Sequence, residues 1–334
     1  MGSVKRLGST TAFALGVTTV GLWTKNPYVQ QLLIIIGIHT LLALGLNMLM
    51  GYAGQISLGH AAFFGMGAYG TGILTTHFQW SPLASLPLVL VAACFLGYLI
   101  GRPVLRLSGY YLAMGTLGLG IIAHVIFREW DTFTGGASGL VGIPPLTFGP
   151  VMIMLGTSGF YTVWGTVLLF FVLCGRVVNS RVGWALRALG DSQKAAAACG
   201  IHTAHLKALI FSFSAMMAAL AGYLYAHLLG FISPSSFDFL MSIRMVTMVV
   251  IGGMASIWGS LLGASVITLL PEWLHVFSDY EMMVYGLILM VVMIFLPQGL
   301  TRGVLDAVQQ ARSHTHRNIR GAQEASASRK GEEV

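Results

Sequence analysis

The sequence predicts an all-α membrane protein, a polytopic bundle of about ten transmembrane helices with one glycine-broken span. Three observations lead there. Of 334 residues, 56% are hydrophobic and only 9% charged, with a mean hydropathy of +0.79, whereas soluble domains carry about 25% charged residues. Apolar blocks of span length fall near 10–24, 29–50, 61–77, 83–101, 110–127, 159–175, 208–229, 240–252, 258–274 and 281–296. With both termini placed in the cytoplasm, every Lys and Arg except Lys25, Arg128 and Arg244 lies on the inner side, as the positive-inside rule requires.

These features bound the function. The formal charge of +7 is spread over loops flanking apolar spans, so topology explains it and nucleic acid is not an expected partner; membrane lipid is. Cys94, Cys174 and Cys199 stand at unrelated spacings that support neither a disulfide framework nor a metal site. Residues 1–300 form the transmembrane domain, with a cytoplasmic loop at 180–207. Residues 301–334 are polar and too poor in apolar side chains to fold alone, so a disordered cytoplasmic tail is expected.

In chain order, Lys5 and Arg6 followed by Thr10 to Trp23 have the layout of a secretory signal. No A-x-A-like cleavage site follows, and the stretch reads as a retained first span. The second and third blocks are joined by GYAGQISLGHAAFFGMGAYG, with glycines at 51, 54, 59, 65, 67 and 70. Each glycine costs a helix up to about 1 kcal/mol relative to Ala, so this density implies close helix contacts or an interrupted backbone. An interruption at membrane depth is tolerated inside protein or beside a watery path. Gln55, Ser57 and His60 would line that path, with Asn47 a turn earlier and Tyr110 as a further polar contact. The plainer reading packs Gly54, Ser57 and Ala61 against a neighbouring helix, and the two are compatible.

TGGASGLVGIP, Thr134 to Pro144, falls in a long outer loop. Gly135, Gly136, Ser138 and Gly139 offer a docking or gating surface, or simply a linker. FISPSSFDF, Phe231 to Phe239, is a second outer turn. Arg244 either snorkels to the interface or pairs with Asp238. A weak likeness between GQISLGHAAFFGMGA and GGMASIWGSLLGA has the form of an inverted repeat.

The long polar interruption is SRVGWALRALGDSQKAAAACGIHTAHLK, Ser180 to Lys207. Ser180 can cap a first short helix running to Gly190. Asp191 or Ser192 can cap a second, alanine-rich one closed by Gly200. Arg181, Arg187, Lys194 and Lys207 would each cost about 2.5 to 3.5 kcal/mol at mid-bilayer, so the segment is expected to stay in water. Its alanines leave an approachable backbone, suited to a shallow groove on a partner; an ordinary solvated loop is the alternative.

Some chemistry is missing. No G-x-x-x-x-G-K-[ST] occurs, so a P-loop nucleotide site is not expected in this chain. No Asp or Glu lies centrally in a predicted span, which argues against a carrier coupled to protons or sodium, though it leaves one as the rival from another class. His39, His60 and His124 lack carboxylate partners in sequence and read as hydrogen-bonded interior histidines.

The spacing of Ala195, Ala196 and Gly200 is similar to the AA-x-x-x-G loop through which ABC importer permeases contact their ATPases, with Lys194 where that loop usually carries Glu. LALGLNMLMGYAGQISLGHAAFFGMGAY (Leu42 to Tyr69), LSGYYLAMGTLGLG, TGGASGLVGIP, the 180–207 loop and MVVIGGMASIWGSLLGA follow in order. Together they resemble the membrane subunits of branched-chain amino-acid ABC importers over roughly residues 30 to 300. The resemblance implies a multi-pass subunit of the bacterial inner membrane that is not itself an enzyme. It also implies a second homologous permease subunit, two ATPase subunits that bind ATP and Mg, and a periplasmic solute-binding protein. Arg187, Asp191, Ala195, Ala196 and Gly200 would form the coupling contact. Relatives carrying urea, amides, aromatic acids or ribose-type sugars leave the solute open.

Overall fold

The computed structural model describes residues 26–148 and 151–274, together with Gly16, Thr18, Thr19, Gly21, Gly286, Leu287 and Met290. Apart from those isolated positions, the predicted first and last spans lie outside the described residues, as does the tail 301–334.

Helix starts follow local chemistry. Helix α1 (Pro27–Asn47) opens with Pro27 at its first turn and the Asn26 side chain accepting from the Tyr28 amide, and it runs on through a π-helical turn, Met48–Tyr52. The chain is non-helical over 53–59 and resumes as α2 (His60–Thr76). Ser81 caps α3 (Pro82–Val104), and α4 (Tyr110–Glu129) follows. A single turn, α5 (Asp131–Thr134), leads through a 3-10 turn at Gly136–Ser138 to the strands β1 (Leu140–Val141), β2 (Leu146–Phe148) and β3 (Val151–Ile153). Then come α6 (Thr157–Val178), the short α7 (Arg181–Asp191) and α8 (Gln193–Ala198), and the long α9 (Thr203–Leu229). Strand β4 (Phe231–Ile232) and a 3-10 turn at Pro234–Phe237 precede α10 (Phe239–Gly252) and α11 (Ile257–Leu274).

Every predicted block between residues 29 and 274 is therefore helical. Among the described residues, five helices are long and apolar enough to cross a membrane: Pro27–Tyr52, α3, α4, α6 and α9. With 17 and 14 residues, α2 and α10 are shorter than the about 20 of a full crossing. The all-α expectation needs one amendment. Strands β1 and β4 pair antiparallel, Leu140 opposite Ile232, and β2 and β3 form a hairpin with Phe148 opposite Val151. Glycines stop helix formation in these loops, and the β-branched and aromatic residues beside them pair instead.

Helices α1 and α9 are the buried centre. Helix α9 packs along α2 and α3 and also touches α1, while α1 in turn meets α6, α10 and α11. Glycines permit the closest approaches: a Cβ on Gly222 would overlap the Phe64 carbonyl oxygen, and one on Gly67 the Ala219 carbonyl oxygen. Helix α4 lies at the edge, against α2. Arg244 is exposed and makes no ion pair among the described residues. Asp238 instead caps α10 by accepting from the Met241 amide at 2.9 Å.

Candidate functional site

Helix α7 seats Gly183, Leu186 and Leu189, three residues apart, on the bundle and leaves Trp184 and Arg187 exposed. Ser180 occupies the N-cap position, but its hydroxyl donates to the Val177 carbonyl at 2.7 Å and caps nothing. Of the two residues expected to cap α8, it is Ser192 that does so, its Oγ accepting from the Ala195 amide at 3.3 Å. The α8 terminus closes with paired bonds, Gly200 N to Ala197 O at 3.0 Å and Ile201 N to Ala196 O at 3.1 Å. This is a Schellman ending, and Gly200 supplies the left-handed residue it needs at φ +82°. Ala196 is buried, whereas Asp191, Lys194, Ala195, Ala197 and Ala198 are exposed. A short helix with a small-residue face thus stands on the surface.

The glycine-rich stretch and the polar segment, far apart in sequence, touch. A Cβ on Gly190 would stand 2.9 Å from the Tyr52 carbonyl oxygen, and one on Gly54 3.1 Å from the Gly190 Cα, so the two backbones are in direct contact. The Arg187 guanidinium lies 6.0 Å from the Tyr52 ring centroid and 5.8 Å from that of Trp184, within cation–π range. Helix α7 therefore rests on the turn that ends α1.

Beyond that turn, the expected path residues are buried. Gln55 donates to the Ala53 carbonyl at 2.9 Å. Ser57 Oγ is 2.9 Å from His60 Nδ1, His60 Nε2 is 2.7 Å from Ser214 Oγ, and Ser214 Oγ donates to the Gly45 carbonyl at 2.6 Å. Because Ser214 spends its proton on a carbonyl, it accepts from His60 Nε2–H, which leaves Nδ1 to accept from Ser57. Asn47 faces a different neighbour. Its amide donates to Ser256 O at 2.7 Å and Ser260 Oγ at 3.0 Å, and its oxygen accepts from Ala255 N at 2.9 Å, tying α1 to the α10–α11 turn. Ser57 and His60 thus cluster with Ser214, Gln55 bonds locally to Ala53, Asn47 stands apart, and Tyr110 lies 70% exposed at the start of α4.

At the other end of the bundle, Gly135 ends α5, Gly136 and Ser138 form the next turn, and Gly139 leads into β1. Gly139 abuts the Ile232 carbonyl so closely that a Cβ would overlap it. The stretches Thr134 to Pro144 and Phe231 to Phe239 are thereby stitched together by β1 and β4. His227 Nδ1 donates to the Pro144 carbonyl at 2.7 Å, and its Nε2 is 2.8 Å from Thr71 Oγ1, fastening this loop to α2 and α9.

Sequence reasoning missed Ser214, His227 and Lys207. The first two were legible only as polar residues in an apolar block. Lys207 was expected in water but is 1% exposed, its Nζ donating to Gln193 Oε1 at 2.8 Å and lying 3.5 Å from the Leu105 carbonyl. A protein pocket at the end of the bundle replaces water. Of the three histidines read as hydrogen-bonded, His39 meets Thr268 Oγ1 at 2.8 Å and His60 its two serines, while His124 Nδ1 has no partner among the described residues.

A bundle of span-length apolar helices that carries an exposed helix pair, its first member resting on the turn before buried polar residues, has the build of a transport permease. Residues 28–293 match the family model described as branched-chain amino acid transport system / permease component, and the chain belongs to that family. It is 32% identical over 286 residues to the high-affinity branched-chain amino acid transport system permease protein LivM of Escherichia coli strain K12, covering 79% of this chain and 67% of that one. To the permease protein BraD of Pseudomonas aeruginosa, named for the same kind of system, it is 28% identical over 82% of this chain and 95% of the relative. The autoinducer 2 import system permease protein LsrC of Yersinia pseudotuberculosis is 27% identical over 62% of each chain. No solved structure gives a significant match.

Proposed function

We propose that this chain is the membrane-spanning permease subunit of an ATP-driven importer of the bacterial inner membrane, moving branched-chain amino acids or a related small solute. A periplasmic binding protein delivers the solute to the Gly135–Gly139 end, where β1 and β4 form the docking surface. A second homologous permease completes the path. Two ATPase subunits, which bind the ATP and Mg, seat against α7 and α8 on the cytoplasmic side, where both termini also lie.

One observation carries this reading: α7, the first of the exposed helix pair, sits directly on the turn that leads into the buried polar residues, through Gly190 against Tyr52 and Gly54. A rigid displacement of α7 moves residues 52–54, and with them Gln55, Ser57 and the His60 bridge between α2 and α9. Coupling thus needs only two packings of one joint. The relatives' names favour a branched-chain amino acid, while the likeness to LsrC keeps another small solute in view.

The test uses the transporter purified with its companions and reconstituted in vesicles. Gly200→Val places a β-branched residue where φ is +82°, at a cost of about 1–2 kcal/mol, and distorts the end of α8. ATP-driven uptake is expected to fall about tenfold or more, 1.4 kcal/mol being tenfold. Uptake and stimulated ATPase activity both equal to the parent's would remove α8 from the coupling contact. Absence of ATPase companions from the purified protein would overturn the importer reading as a whole.

A further inference from the structure

Lys207 has no part in the proposed cycle, and its surroundings are unusual for a cation. It is buried at the fifth residue of α9. No carboxylate pairs with it among the described residues. It is held instead by the side-chain oxygen of Gln193, the first residue of α8, and by the Leu105 carbonyl just past the end of α3. The end of α3 offers the partial negative charge of a helix C-terminus, which favours a cation. One amine therefore joins three elements, α8, α9 and α3.

We infer that Lys207 is a positioning residue that latches the coupling helix α8 to α9 and α3, a second route from the motor contact into the bundle beside the Gly190–Gly54 joint. The inference rests on the coupling role proposed above. Its logic is mechanical. Helix α8 is two turns long, exposed, and bonded to its own neighbours chiefly through Ser192 and the Gly200 ending. Without Lys207 it would move as a flap on those two ends. With Lys207 gripping Gln193, its displacement is delivered to the base of α9, the helix that carries Ser214 and His227 and packs along α2. The grip is a charge-assisted bond from the ammonium to a neutral amide oxygen, with the Leu105 carbonyl beside it.

The experiment measures solute imported per ATP hydrolysed by the complete reconstituted transporter, for Lys207→Met, Gln193→Leu, Gln193→Glu and the Lys207→Met/Gln193→Leu pair. A purely structural defect lowers uptake and hydrolysis together and leaves their ratio alone. The expected result is a ratio about tenfold lower for Lys207→Met and for Gln193→Leu. Gln193→Glu, which keeps the acceptor, should remain within about twofold of the parent. The double variant should be no worse than Lys207→Met, because both changes cut one contact. Parental ratios in both single variants, or losses that multiply in the double variant, would overturn the latch. Should Lys207→Met fail to assemble, the Gln193 variants at the exposed end of the contact decide the matter by the same ratio. A parent transporter without ATP-driven uptake would instead sink the importer reading, so the two failures are distinguishable.

Discussion

Helices α4 and α9 are equally apolar by composition, yet 78% of the 18-residue heart of α9 is buried and only 11% of that of α4. The difference shows that apolarity decides whether a helix enters a membrane, not where it sits in the bundle. In lipid, helices gain little from hiding apolar surface, and association depends on close packing and on polar bridges. Helix α9 has both. Ala215, Ala218, Ala219, Ala221 and Gly222 let it approach its neighbours, and Ser214 and His227 hydrogen-bond across to α2. Helix α4 turns Ile121, Ile122, Val125 and Ile126 outward instead. A glycine there does not by itself make a seam, because a Cβ on Gly118 would face no heavy atom within 4 Å. A small residue brings helices together only where the neighbour also leaves room.

The sharpest way to break this contrast is at the seam itself. Gly222→Ala sets a methyl group into the Phe64 carbonyl, and Gly67→Ala one into the Ala219 carbonyl. The obstacle is backbone, so it cannot swing aside. Each is expected to cost about 2–3 kcal/mol, the upper range for overpacking, and to lower the unfolding temperature in mild detergent or remove folded protein altogether. Unchanged melting would mean that α2 and α9 are held apart by more than the structure allows.

A smaller loss is expected where the seam is polar. His60→Leu removes the links to Ser57 and Ser214, leaving the Ser57 hydroxyl without its acceptor while Ser214 keeps its bond to the Gly45 carbonyl. Interhelical hydrogen bonds in membrane proteins average about 0.6 kcal/mol with a maximum near 1.7, so the His60–Ser214 bond, the one of the two that crosses between helices, should be worth about 0.6–1.7 kcal/mol. Denaturation of the variant in detergent measures it. A loss equal to that of Gly222→Ala would show that the bridge, rather than glycine packing, holds α2 to α9.

Much of this was legible in the sequence, and the limits have physical causes. Helix starts at Asn26–Pro27 and Ser81–Pro82 are written in cap residues, and the end of α8 in Gly200, because these depend on neighbours in the chain. The meeting of Gly190 with Gly54, and of Leu140 with Ile232, is tertiary, and no local pattern announces it. Asn47 and His60 could be marked as buried polar residues needing partners, but the side chain states the need and not who meets it. Lys207 escaped for a different reason. Weighing lipid against water omits a third environment, a pocket where a helix C-terminus and an amide oxygen solvate an ammonium group. The path residues divide for the tertiary reason: Ser57 and His60 meet Ser214 of α9, whereas Asn47 meets the α10–α11 turn.

The smallest effect is the most discriminating. Gly118→Ala on α4 makes the same chemical change as Gly222→Ala on α9, one added methyl group in a helix. With nothing near its Cβ, the alanine meets no obstacle and removes backbone freedom from the unfolded chain. A gain of about 0.4–1 kcal/mol is therefore expected, seen as a slightly higher unfolding temperature for the isolated chain. One substitution type would then stabilise one helix and destabilise another of equal hydropathy, with the sign fixed by neighbours alone. A loss at Gly118 of the size expected at Gly222 would place an unrecognised neighbour from within the chain against α4 and would erase the contrast between the two helices.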